Sequence, residues 1–197
     1  MTIHKNKKQK EVIVIEKVFD FITHMFPNDL KKAAKEFKKS AEAQAANDER
    51  VYSRGFLSWF LLERKINLGL TPMELAQSFP LDFFTKQDMG IITNFVNHIT
   101  SIFEMKRKDG KEILLEDAVS GRKYFVKTID FPDVLENGEF VKAILVKKIE
   151  GDYFFYGNVL TYARAEGLKM KEYLLKNIGK IKKRQKPEIE WEIEYEK

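Results

Sequence analysis

The stretch FEMKRKDGKEILLEDAVSGRKYFVK, residues 103–127, predicts a run of short β-strands. Polar and apolar side chains alternate along its parts, which is the period of a strand with one buried face. Asp109-Gly110 is the two-residue signal of a tight hairpin, and Ser120-Gly121 offers a second turn. The stretch therefore predicts three strands joined by short connections.

Two further strands are predicted on the carboxyl side of this stretch. A long apolar run from Phe140 to Ile149 follows Asn137-Gly138, and the turn at residues 150–152 leads into residues 153–159. Five strands of this length and spacing favour a small β-barrel of SH3-like or OB-like type. Closure into a barrel would remove the exposed edges that a flat sheet leaves.

The amino-terminal half has helical periodicity instead. Its first helix carries an apolar stripe that should end before Pro27, with Asn28 or Asp29 capping a second helix. A third helix, from Asp48 to about Arg64, is apolar on several sides. Thr71-Pro72 and Thr85 begin two more helices. The last helix is expected to include Ile99. We therefore expect about five helices, packed on the barrel.

The carboxyl-terminal part is predicted to form a helix over residues 160–178, followed by a basic run. After Pro187, glutamates alternate with large apolar residues over residues 188–196, which is the pattern of an amphipathic terminal strand. The predicted class is α+β. Its expected parts are a helical region over 1–100, a barrel over 101–160, and a helix, basic run and acidic strand over 161–197.

Composition excludes several classes of protein. The chain has 197 residues, 44% of them hydrophobic, which is enough to bury a core. It has no cysteine, and this excludes a disulfide scaffold, a thiolate nucleophile and a cysteine-ligated metal centre. No charge-free run is long enough for a membrane span, so we expect a globular protein of the cytoplasm with no membrane association.

The net charge of +5 is unevenly distributed. Residues 160–187 carry nine basic and two acidic side chains, and residues 1–45 also have a basic excess. Residues 46–159, which include the predicted barrel, are close to neutral. A general polyanion-binding protein usually has its basic residues on the main folded face, so the distribution disfavours that class.

One resemblance to a known family is present. The segment Phe56-Leu57-Ser58-Trp59-Phe60 followed by Gly69-Leu70-Thr71-Pro72 resembles a motif of uncharacterised proteins associated with the SEC-C motif. Phe103-Glu104, the pair Asp117 and Gly121, and Gly138-Glu139 are similar too. The resemblance implies a helical region before a small β-barrel. The family's metal-binding segment needs cysteines, so no metal function is implied here.

No motif of this chain favours catalysis. His24 and His98 lie near predicted helix ends, where an imidazole suits the helix dipole, and no spacing of the three histidines matches a zinc site. The predicted barrel carries carboxylates that could in principle act as general acid and base. They are interspersed with basic residues, as on the surface of many barrels, and are Glu112, Glu116, Asp117, Asp130 and Asp133. We expect no enzyme activity and no cofactor.

The aromatic run at residues 153–156 leaves two interpretations open. It places two aromatic side chains on each face of one strand, so one pair points into the barrel. The other pair either contacts the helical half or is exposed and available for base stacking.

Two functions from different classes follow. The first is a non-enzymatic interaction module that binds a protein partner or a second copy of itself. Its expected partner-binding residues are Ile189, Trp191, Ile193 and Tyr195. The alternative is a single-stranded nucleic-acid-binding protein that uses barrel aromatics and the basic run. The expected nucleic-acid-binding residues are Tyr153, Tyr156, Lys147, Lys148, Lys180, Lys182, Lys183, Arg184 and Lys186.

Overall fold

The computed structural model describes residues 9–66, 68–79, 83–127 and 135–184, with side chains as far as residue 177. In these ranges, six helices precede the sheet and one follows it. The helices are α1 Lys10–Met25, α2 Pro27–Phe37, α3 Ala41–Ala45, α4 Glu49–Leu62, α5 Pro72–Ser78, α6 Lys86–Val96 and α7 Arg164–Arg184. The strands are β1 Ile99–Asp109, β2 Glu112–Asp117, β3 Lys123–Lys127, β4 Phe140–Lys147 and β5 Tyr153–Tyr162. The α+β class, the helical region and the five strands are confirmed.

The predicted helix starts are largely confirmed by their caps. The Asp48 side chain accepts a hydrogen bond from the backbone N–H of Val51 at 2.8 Å, which begins α4. Thr71 and Thr85 each form a capping box, at the starts of α5 and α6.

Other predicted boundaries were wrong. Pro27 is itself in the first turn of α2, where its missing N–H does no harm, so neither Asn28 nor Asp29 is the cap. The short α3, capped by Ser40, makes the described helical half one helix longer than expected. Ile99 is already in β1 rather than in α6.

The predicted start of the last helix was also wrong. Residues 160–162 continue β5 because they pair with residues 140–142 of β4, and α7 begins only at Arg164.

The five strands form a mixed sheet whose pairing order closes on itself. β1 pairs antiparallel with both β2 and β4, β2 pairs with β3, and β4 pairs with β5. The order β1-β2-β3-β5-β4 is completed by a parallel contact between Val126 of β3 and Tyr153 of β5.

β4 is buried on both faces. Val141, Ala143 and Leu145 point into the core of the sheet. On the opposite face, Ile144 and Val146 belong to the core of the helical half. The sheet and helices α1–α6 therefore share buried apolar surface, which explains why β4 is a nearly continuous apolar run.

Two glycines allow helices to approach the sheet closely. Gly157 of β5 has φ +75°, and a Cβ atom there would lie 2.7 Å from Cβ of Ser58 on α4. Gly167 of α7 lies directly on the ring of Phe140, so closely that a Cβ atom would overlap it. α4 and α7 thus cover different parts of the outer side of β4 and β5.

Candidate interaction surface

The outward pair of the aromatic run, Phe154 and Tyr156, is covered by α6. The ring of Phe95 makes edge contacts with both, at centroid distances of 6.0 and 5.0 Å. The predicted use of Tyr156 for base stacking is therefore wrong, because a helix occupies the space that a base would need. The interpretation in which this pair joins the helices to the sheet matches the observed packing.

The inward pair lines the sheet core. Tyr153 and Phe155 pack against the buried cluster of the sheet, and Tyr153 makes an edge contact with Tyr124 at 5.2 Å. Tyr153 is half-buried where β5 reaches β3. Of the two nearby lysines, Lys147 is exposed and Lys148 lies over the Phe154 ring, 5.7 Å from its centroid.

The remaining predicted binding residues lie outside the residues whose side chains are described. α7 continues through Lys180, Lys182, Lys183 and Arg184, but only its backbone is described there. Lys186 and the partner-binding residues Ile189, Trp191, Ile193 and Tyr195 lie beyond the described residues.

Part of the outer side of the sheet is left uncovered by the described helices. We call it the outer face of β1–β3, and its central row is Arg107, Leu114 and Phe125, which lie opposite one another on three adjacent strands. Phe125 is 48% exposed and Arg107 is exposed, while Leu114 is half-buried between them. An aromatic ring and a guanidinium beside an apolar centre are the residue types that dominate protein–protein interfaces.

Rows of mixed charge flank this central row. Glu104, Glu116 and Lys123 form one row, and Asp109, Glu112 and Lys127 form the other. In each row the β1 and β2 positions are acidic and the β3 position is basic, so the charges do not add to a basic patch.

Ion pairs fix several of these side chains. Lys106 contacts Glu104 at 3.0 Å and Glu116 at 4.0 Å, and Lys127 contacts Asp152 at 2.6 Å. The hydrogen bond to Glu104 raises the pKa of Lys106. Burial alone would raise the pKa of Glu104, but hydrogen bonds and charge from Lys106 and Lys171 hold that pKa below its usual range.

A cavity of about 320 Å³ opens at the β3 border of this face. Tyr124 and Tyr153 provide its aromatic wall, and Gly151 leaves one side without a side chain. The lining residues are Glu112, Lys123, Tyr124, Phe125, Gly151, Asp152 and Tyr153.

The Asp117 carboxylate at the end of β2 has a structural role. Asp117 accepts hydrogen bonds from the backbone N–H groups of Val119 and Ser120 and from the Ser120 hydroxyl, at 3.0, 2.6 and 2.9 Å. Burial by itself would raise the pKa of Asp117, but these bonds and one from Ser101 keep it below its usual range. The carboxylate is thus held by the β2–β3 turn. Asp130 and Asp133 lie outside the described residues.

The two histidines among the described residues, His24 and His98, both lie at helix ends. Nδ1 of His98 lies 2.8 Å from the carbonyl oxygen of Phe95, at the end of α6, and His24 is in the last turn of α1. Across the described ranges, no group of three or more His, Asp or Glu side chains could hold a metal ion.

A second concave surface lies between α1 and α4. Its surface is mostly apolar, its volume is about 350 Å³, and its lining includes Glu16 and Asp20. The apolar wall is formed by Ile15, Phe19, Tyr52, Phe56 and Leu57.

Sequence reasoning missed both Phe125 and the α1–α4 groove. The signal for Phe125 was present, because three consecutive apolar residues between Lys123 and Lys127 cannot all point inward on a strand. The groove has no such signal, since the apolar stripes of α1 and α4 are those of ordinary packed helices.

The sequence matches no family model and no curated protein sequence. The resemblance to SEC-C-associated proteins therefore stays a prediction. Among the described helices, none combines the length and apolar content that a membrane span requires.

Proposed function

We propose that this chain is a non-enzymatic interaction module that binds a protein partner, or a second copy of itself, through the outer face of β1–β3. The observation that carries the proposal is the exposed row of Arg107, Leu114 and Phe125, on a face that the described helices leave open. Elsewhere on the outer side of the sheet, helices bury the comparable residues of β4, of β5 and of the start of β1.

The charges around this row favour a protein partner over a polyanion. Glu112 and Glu116 lie on either side of Leu114 on β2, so a phosphate backbone crossing the face would meet carboxylates. A partner with both charge signs could instead pair with the acidic side chains of β1 and β2 and with the lysines of β3 at the rim. The structural role of Asp117 supports the non-enzymatic part of the proposal.

An OB-like type for the five-stranded sheet is a further part of this proposal. β4 returns to lie beside β1 after the β1–β2–β3 meander, which is a Greek-key order, and β5 reaches β3 through one parallel contact. A five-stranded, partly open Greek-key barrel is the OB-like type, and its binding region includes the face of strands 2 and 3. The strand connectivity therefore supports an OB-like barrel over an SH3-like one.

The test compares two variants of the full chain. Phe125→Ser removes the ring at the centre of the face, and Leu68→Ser removes a side chain that is 61% exposed in a loop of the helical half. Self-association is followed by sedimentation over a range of concentrations, and bound proteins are compared by affinity capture. We expect Phe125→Ser to abolish an association that Leu68→Ser retains. An association that is equal in both variants, or a monomeric wild type with no Phe125-dependent partner, would contradict the proposal.

A second candidate function is single-stranded nucleic-acid binding. Phe125 is an exposed aromatic between Lys123 and Lys127, and the basic run at residues 180–186 could contact phosphates. Fluorescence anisotropy with a labelled oligonucleotide at low and high salt tests this function. We expect any binding to require residues 180–197, and binding that survives their removal would place the site on the sheet.

A cytoplasmic location is a further part of the proposal. It rests on the absence of cysteine, which fits a reducing compartment.

A further inference from the structure

α7 lies beside the outer face of β1–β3 and forms a wall along it. Gly167 lies directly on Phe140 of β4, and the Lys171 ammonium is 3.6 Å from the Glu104 carboxylate of β1. Glu104 belongs to a charged row of the outer face, next to the central row. The sheet and α7 therefore meet in a trough, which has the outer face as its floor and one side of α7 as its wall.

Two leucines lie on the side of α7 that forms this wall. Helix residues three or four positions apart share a side, so Leu168 and Leu175 lie on the same side of α7 as Lys171. Leu168 is 48% exposed and Leu175 is 46% exposed. Together with Leu114 and Phe125 on the floor, they give the trough exposed apolar side chains on two sides.

The outward side of α7 and the floor of the trough carry opposite charges. Over residues 164–177, α7 has four basic and two acidic side chains. Lys169 and Lys176 are exposed, and the residues of α7 that pack on the sheet lie on the other side of the helix. On the floor, the β1 and β2 positions beside the central row are acidic, and Glu112 and Glu116 are two of them. An α7 helix from a second copy would therefore bring lysines to carboxylates.

One chain carries both of these complementary surfaces, which is what a symmetric pair requires. In a two-fold dimer, each interface contact occurs twice with the roles of the two copies exchanged. The α7 helix of each copy would lie on the floor of the other copy's trough, beside the α7 helix that forms its wall. The exposed leucines of the two walls would then meet one another at the centre of the interface.

We propose that the protein forms a two-fold homodimer in which the α7 helix of each copy fills the trough of the other. This inference rests on the proposed function, since it commits the outer face of β1–β3 to a second copy and names α7 as the element that binds there. The association should weaken at high salt, because its lysine–carboxylate contacts lie at the solvent-exposed rim.

Charge reversal provides a test that includes its own rescue. One full-length variant carries Lys169→Glu with Lys176→Glu, and the other carries Glu112→Lys with Glu116→Lys. We expect each variant alone to dimerise at least about tenfold more weakly than wild type, because like charges then meet in both halves of the interface. An equimolar mixture should restore the dimer, since each α7 then meets a floor of opposite charge. Sedimentation over a range of concentrations provides the measurement.

A charge change elsewhere is the matched control. Lys31→Glu with Lys35→Glu alters the net charge by the same amount at two exposed positions of α2. This variant should dimerise as wild type does. A loss equal to that of the Lys169 and Lys176 variant would show an effect of net charge alone and would overturn the inference.

Replacing the leucines tests the wall without changing any charge. Leu168→Gln with Leu175→Gln keeps good helix formers in α7 and should weaken the dimer at least about tenfold. Tyr173→Gln is the control, because Tyr173 is 67% exposed but lies two residues from Lys171, and therefore on another side of α7. Equal effects of the two changes would overturn the inference.

The outcomes separate this inference from the proposed function. Charge-reversed variants that dimerise like wild type, or folded variants whose mixture stays monomeric, would overturn the α7 dimer. If a charge-reversed variant fails to fold, the leucine variant decides, and wild-type dimerisation by it would overturn the inference. A self-association that Phe125→Ser still abolishes would then leave the proposed function standing. A monomeric wild type that binds another protein through Phe125 would also overturn the dimer and support the proposed function.

Discussion

Phe95 of α6 lies edge-on to Tyr156 of β5, with ring centroids 5.0 Å apart. The contact joins the two halves of the chain, because the same ring also contacts Phe154 and belongs to the same buried cluster as Ile144 and Val146 of β4. Neither the helices nor the sheet can bury these side chains without the other. We therefore expect the two halves to unfold in one cooperative transition.

Trp59→Ala tests this cooperativity from the helical side. Trp59 packs on Phe37 at a centroid distance of 5.4 Å, and removing its ring should lower the free energy of unfolding by about 3–5 kcal/mol. Hydrogen exchange should then accelerate in the sheet as well as in the helices. A loss below about 1 kcal/mol would place Trp59 on the surface and contradict this packing. Faster exchange in the helices alone would show that the halves unfold independently.

Tyr156→Phe should stabilise the protein. The Tyr156 hydroxyl is buried with no hydrogen-bond partner in the described part of the chain, and burial raises its pKa far above the ordinary value for tyrosine. A buried hydroxyl without a partner costs about 1–3 kcal/mol, so its removal should raise the urea midpoint. Tyr173→Phe, at a side chain that is 67% exposed, is the control and should change little. A large loss of stability in Tyr156→Phe would reveal a partner for the hydroxyl.

Two glycine-to-alanine changes in helices should have opposite effects. A Cβ atom at Gly90 of α6 meets nothing within 4 Å, so Gly90→Ala should stabilise by about 0.5–1 kcal/mol through helix propensity. A Cβ atom at Gly167 overlaps Phe140, so Gly167→Ala should destabilise by about 1–3 kcal/mol. Thermal unfolding of both variants provides the measurement. Equal stabilisation would mean that α7 does not rest on β4.

Asp88 should make stability depend on acid pH. Burial alone would raise the pKa of Asp88, but hydrogen bonds from Lys17 at 2.7 Å and from the Thr85 backbone at 3.0 Å hold it below the ordinary value of 3.8. Because the folded state lowers this pKa, the stabilisation is complete above the ordinary value and is lost as the pH falls through the folded-state pKa.

The variant Asp88→Asn tests this dependence. It should be less stable than wild type at neutral pH, and the difference should shrink as the pH falls below about 4. Lys17→Met removes the ammonium that pairs with the Asp88 carboxylate. It should also lower stability at neutral pH, by an amount that shrinks as the pH falls. A difference between wild type and Asp88→Asn that is constant with pH would contradict this account.

Local sequence signals were sufficient to predict most helices and strands. They could not predict the tertiary contacts that cover the outward-facing side chains of those elements. Asp109-Gly110 and the Thr71 and Thr85 caps act within a few residues, so the sequence alone located the hairpin and two helix starts. The parallel contact of Val126 with Tyr153 joins residues far apart in sequence, and no short motif encodes it.

The same limit explains the errors at the candidate site. Tyr156 and Phe125 are both outward-facing aromatics on strands, and periodicity cannot tell which of them a helix covers. Leu160 to Tyr162 could extend either a strand or a helix, and pairing with β4 decides the outcome. Tertiary contacts, rather than propensity, therefore determined which residues remain available for binding.

The burial of β4 on both faces also constrains how the protein is made. During synthesis, α1–α6 emerge from the ribosome well before Ile144 and Val146, and the side of the helical half that these residues cover is open until then. β1–β3 likewise emerge before β4, which is the second strand that pairs with β1. The nascent chain thus exposes two incomplete apolar surfaces at once, which is the interval when aggregation and chaperone capture compete with folding.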